Sequence, residues 1–177
     1  MTKFTLDPSV PEAWLRGPVP DVPPELMPVV HSLLQVREEL EALAPTFSSE
    51  QMWARPCGAA SVAFHVTHLA GSLDRLLTYA RGERLNDRQR AALEAEDSLA
   101  PARESPAERF LLAQGAIEKA IAQVCATPVE TLGEDRRVGR AALPSTVRGL
   151  LFHAAEHAQR HAGQIVTMAK ILGAKRP

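Results

Sequence analysis

Apolar residues recur at intervals of three and four in four stretches of the chain, and each stretch reads as an amphipathic helix. The first, "PELMPVVHSLLQVREELEALA", has a proline-rich start suited to a helix N-terminus and places a helix at about residues 24–44. The second, "SVAFHVTHLAGSLDRLLTYARG", takes Ser61 as N-cap and is closed by Gly82. The third starts at Ser105-Pro106, with Ser105 as N-cap, Pro106 at the first helical position and Glu108 completing a capping box. It runs through "AERFLLAQGAIEKAIAQVCA" to Pro128. The fourth begins at Pro144-Ser145-Thr146 and continues to Gly173, with Lys175 and Arg176 just beyond to suit the helix dipole.

The segments between these helices have other patterns. In "SSEQMWARPCGAAS", Pro56 and Gly58 break any helix before Ser61. The polar stretch "ERLNDRQRAALEAEDSLAPARES" accommodates a short helix near residues 86–95, and "VETLGEDRRVGRAAL", broken by glycines, reads as a long loop. No stretch shows convincing β-alternation. The N-terminal "LDPSVPEAWLRGPVPDVPPELMP" holds seven prolines and reads as an extended arm, with Trp14 and Leu15 docking on the body. The expected organisation is an arm over residues 1–23 and one helical domain over 24–177. Four substantial helices in a small domain predict an all-α fold, a four-helix bundle.

Composition changes this picture little. Apolar residues form 45% of the 177 and charged residues 23%, as in ordinary globular proteins. Twenty basic and 21 acidic side chains give a formal net charge of −1, with no basic stripe, which argues against nucleic-acid binding. Two cysteines, Cys57 and Cys125, are too few for a disulfide framework and read as reduced thiols. The N-terminus lacks the apolar core of a signal peptide, and no run is long enough to span a membrane. A cytoplasmic location follows as the expectation.

The chemistry concentrates in histidine. Three of the six histidines, His153, His157 and His161, stand four apart in "LFHAAEHAQRHAGQI", in a stripe about 80° wide on one helix face. A pair at i and i+4 can reach one metal ion, whereas the outer two lie about 12 Å apart along the axis, too far to share it. The second helix adds His65 and His68, three apart, next to the apolar stripe of Val62, Leu69, Leu73 and Leu76. A histidine facing a bundle interior must be neutral, hydrogen-bonded or metal-bound. One histidine from the second helix and two from the fourth would give three nitrogen ligands and an open fourth position. A lone buried histidine is more often a structural hydrogen-bonder, and His31, alone on the first helix, is read as having a structural or surface role. Other catalytic templates fail: there is no HExxH, di-iron Glu-x-x-His pair, P-loop or GxGxxG. Cys57, in "RPCGA", is read as a bystander thiol rather than a nucleophile.

"HAAEHAQRHAGQI" resembles the C-terminal helix signature of the DinB/YfiT-like superfamily, two histidines four apart followed by x-Gly-Gln. The match covers His157, His161, Gly163 and Gln164. "SVAFHVTHLAGSLDRLL" resembles that family's second helix, with His68 followed by Leu69, Ala70 and Asp74. The resemblance spans most of the chain from Pro24 to Gly173. It implies an up-down-down-up bundle, frequent dimerisation, and a divalent ion held by His68, His157 and His161. Nickel or zinc is implied first, with iron or manganese as further choices. It also implies a small-molecule substrate: some members are thiol S-transferases using bacillithiol or mycothiol, or a mycothiol-dependent maleylpyruvate isomerase. A metal-dependent hydrolase and a non-enzymatic, stress-induced metal-binding bundle are the alternatives. His65 and Glu156 are the candidates for proton handling. His65, one turn before His68, and His153, one turn before His157, stand as alternative ligands or as residues orienting one.

Overall fold

The computed structural model describes residues 10–96 and 105–173. Four long helices form it: α1 (Met27–Leu43), α3 (Val62–Ala80), α5 (Pro106–Cys125) and α6 (Val147–Ile171). Two shorter ones, α2 (Ser49–Trp53) and α4 (Asp87–Glu96), lie between them. A two-stranded antiparallel hairpin, β1 (Asp135–Val138) with β2 (Leu143–Thr146), precedes α6.

Hydroxyl caps set the starts of the helices. Ser61 Oγ accepts from Phe64 N, Ser105 and Glu108 form the expected capping box, and Thr146 Oγ1 accepts from Gly149 N. Gly82 closes α3 with φ +79°, a left-handed conformation that costs glycine nothing.

The core gathers Leu33, Val36 and Leu40 of α1, Leu69 and Leu73 of α3, Phe110 and Ile117 of α5, and Leu151 and Ile165 of α6. α1 packs against α5 and α6, and α3 packs against the same two, so α1 and α3 lie across a diagonal. α3 and α5 run parallel, since Thr67 meets Arg109 and, further on, Leu77 meets Gln123. α3 and α6 run antiparallel, with His65 beside His161 and His68 beside His157. α1 runs parallel to α6, since Gln159 donates to Ser32 O and Gln51, beyond the end of α1, donates to Leu172 O just past α6, and the four directions make an up-down-down-up bundle.

Four expectations need correction. The segment read as a long loop contains the hairpin, with Asp135 opposite Thr146 and Val138 opposite Leu143. Each strand has only four residues, too few to show period-2 alternation, and Pro144 is tolerated because a two-stranded sheet is all edge. α6 therefore starts at Val147, and Pro144 and Ser145 belong to β2. The stretch before Pro56 contains α2, because breakers downstream do not prevent one turn capped by Ser48 and Gln51. In the arm, Trp14 and Leu15 are 62% and 57% exposed, while Ala13 is buried and Val19 and Val22 pack on the core. His31 Nε2 donates to Gly17 O at 3.0 Å, a structural role in pinning the arm to α1. Lys175 and Arg176 lie outside the described residues.

Candidate metal centre

The antiparallel contact of α3 with α6 builds the site. Ala154, Ala155, Ala158 and Ala162 are buried along α6, and their small side chains let the helices approach closely. The histidines interleave with them, so the close approach presses imidazole against imidazole. His68 Nε2 lies 3.0 Å from His157 Nε2, and His65 Nδ1 lies 2.9 Å from His161 Nδ1. Ring centroids of His68, His157 and His161 are 4.6–5.2 Å apart. One donor nitrogen from each of these three falls within 4.8 Å of the others, a group that could hold a metal ion.

The other candidates sit around this group. His65 is buried and reaches it through His161. His153 is about half exposed, with Nδ1 2.7 Å from Glu156 Oε1. Glu156 also accepts from Arg160 at 2.7 and 2.8 Å, so its carboxylate is engaged by neighbours on its own helix. Hydrogen bonding from Arg160, then from His153, holds it below the usual carboxylate range. Cys57 is exposed on the turn before α3, and Cys125 is half-buried at the end of α5.

Two residues that the sequence pattern left unnoticed complete the site. Glu96, at the end of α4, is 5% exposed and places Oε2 2.6 Å from His68 Nδ1. Arg75, buried on α3, donates to Glu96 Oε1 at 2.6 Å and Oε2 at 3.3 Å. Burial pushes the Glu96 carboxyl up, but the bonds from His68 and Arg75 and the Arg75 charge outweigh it and hold the group low. A carboxylate in the acidic run "EAEDS" carries no signal of its role, because only tertiary contact brings it to His68.

The electrostatics favour neutral imidazole. Burial, then His68, His157, His65 and Arg160, push His161 down from 6.5 to about 3. Burial likewise lowers His157, helped by His68, His153 and Arg160, and lowers His65, helped by His68. Neutral rings are what a divalent transition metal requires as ligands. His157 Nδ1 is moreover buried without a hydrogen-bond partner among the described residues, a polar atom expensive to leave unsatisfied. The donor set fits a borderline cation.

The chain matches the family model of the DinB superfamily over residues 32–165. No curated protein matches it. Among solved structures it is similar to YfiT from Bacillus subtilis, described as a probable metal-dependent hydrolase with an unusual four-helix bundle topology. The TM-score is 0.65 at 18% identity, covering 90% of this chain and 94% of that one. No helix among the described residues is long and apolar enough to cross a membrane.

Proposed function

The chain belongs to the DinB superfamily, and from that premise we propose that it is a metal-dependent hydrolase of a small-molecule substrate, its divalent ion held by His68, His157 and His161. The observation that carries this reading is the convergence of three histidine nitrogens within 4.8 Å, where burial favours the neutral form of His157 and His161. Zinc and nickel suit an all-imidazole donor set best, and iron is also compatible. Once bound, such an ion serves as a Lewis acid that eases deprotonation of a water or thiol at its open position.

The chain's own residues do the remaining work. Neutral His65 accepts the Nδ1 proton of His161, which leaves Nε2 of His161 as its donor atom. With Nδ1 of His65 accepting in this way, the proton of the neutral ring sits on its Nε2, from which it can be donated. Of the two candidates for that task, His65 touches the histidine group, whereas Glu156 is held by Arg160 and His153. The proton is therefore assigned to His65.

A second reading is thiol S-transfer, with bacillithiol, mycothiol or another low-molecular-weight thiol as co-substrate. It is supported by membership of the superfamily, some of whose members use such thiols. One experiment addresses both. The zinc- or nickel-loaded protein is offered esters and amides without thiol, then electrophiles with a panel of small thiols. Metal-dependent turnover without thiol supports hydrolysis, and strict thiol dependence supports transfer. Bound metal with no turnover leaves a metal-binding bundle, and absence of metal by elemental analysis overturns both enzymatic readings.

A further inference from the structure

We propose that Glu96 is a positioning residue for the centre: its carboxylate selects the nitrogen that His68 presents to the other histidines and thereby seats helix α4 on the bundle. The inference rests on the metal-centre reading above.

The composition of α4 is the first observation. Among its ten residues only Glu96 is buried. A helix with no apolar face gains little from hydrophobic contact, so the C-terminal end of α4 is held by polar groups. An isolated carboxylate at that depth would be costly to bury. Here it is met by Arg75 at 2.6 and 3.3 Å and by His68 Nδ1 at 2.6 Å.

The second observation is the cradle on α3. His68, Gly71 and Arg75 are spaced by three and four, so they share one helix face. A Cβ at position 71 would stand 2.5 Å from Glu96 Oε1 and 2.7 Å from Arg75 Nη1. Glycine there leaves room for the ion pair that any side chain would crowd.

The third is donor logic. An ionised carboxylate only accepts hydrogen bonds, so Nδ1 of His68 is the donor of this pair, and in a singly protonated ring the proton sits there. Its Nε2, 3.0 Å from His157 Nε2, is then left with a lone pair aimed into the histidine group. With the opposite tautomer, a proton would stand where an ion needs a donor. Carboxylate–imidazole pairing of this kind is the common means of orienting a metal-binding histidine.

The test compares the full-length wild type with Glu96→Gln and Gly71→Ala. Glutamine keeps the shape, but Arg75 claims its single oxygen and the amide nitrogen is turned towards His68. Long-range proton–nitrogen NMR of the metal-free protein should find His68 protonated at Nδ1 in the wild type and shifted towards Nε2 in Glu96→Gln. Zinc affinity, measured by chelator competition, should fall about 10–100-fold in both variants, and α4 amides should exchange faster. A purely space-filling Glu96 would be replaced by glutamine without effect. Wild-type His68 protonated at Nε2, or Glu96→Gln with unchanged tautomer and zinc affinity, overturns the inference. If Glu96→Gln does not fold, the wild-type tautomer and Gly71→Ala decide it. If the wild type takes up no zinc, the proposed function fails, while the tautomer still decides the role of Glu96.

Discussion

His161 shows how far the bundle interior alters a side chain whose sequence position says only that it lies on a helix. Its pKa falls from 6.5 to about 3, so in the metal-free protein the unfolded chain takes up the proton first as pH drops. The sign follows: stability is greatest above about pH 6.5 and is lost progressively towards pH 3. His157 and His65 are shifted in the same direction. Denaturant unfolding in chelator should show this slope, and His161→Gln should flatten it between pH 6.5 and the carboxylate range near 4.5. An unchanged slope in that variant would remove His161 as its source. For the loaded protein, His157→Ala or His161→Ala should abolish stoichiometric metal, because two histidines make a poor site. Full metal content in either variant after dialysis would contradict the ligand assignment.

Helices α3 and α6 create the site by their closeness, and small residues make that closeness possible. Ala158 is fully buried between His157 and His161 in the sequence. Ala158→Leu should force the packing apart, with a loss of about 1–3 kcal/mol in stability and weaker metal uptake. Thermal unfolding and elemental analysis read the two effects, and unchanged metal content would show that α6 tolerates the displacement. Ser61→Ala should cost about 1 kcal/mol by removing the α3 cap, while leaving the metal stoichiometry intact. The caps of α3 and α5 were legible in the sequence because capping is local chemistry between residues three apart. The hairpin was not, since its four-residue strands are stabilised by pairing with each other and by Arg136 Nε donating to Ala80 O at 2.8 Å.

At the scale of the molecule, the described part of the N-terminal arm, residues 10–23, lies on the bundle in part only. Ala13 N donates to Gln35 at 3.0 Å, Arg16 pairs with Glu38 at 2.6 Å, and His31 holds Gly17, whereas Trp14 and Leu15 face outwards. Leaving such side chains in water is unfavourable, and a second copy of the chain would cover them. We predict a homodimer that light scattering reads as twice the chain mass. Trp14→Ser with Leu15→Ser should shift it towards the monomer. A monomeric wild type at high micromolar concentration would end that proposal, and the arm would then serve its own domain alone.

Helical periodicity, caps and the spacing of histidines are properties of neighbouring residues, so the sequence by itself determined the four long helices and the faces on which His65, His68, His157 and His161 stand. The i, i+4 spacing on α6 also suggested that one histidine of α3 would join two of α6, while leaving His65 and His153 open as alternatives to His68 and His157. Which nitrogens meet, at 2.9 and 3.0 Å, was decided by the antiparallel packing of α3 on α6. Glu96 and Arg75 entered the site only through tertiary contact. Twenty-one positions separate them, and a buried ion pair leaves no periodic trace in a chain, since its stability comes from excluded water and from partners that folding alone brings together.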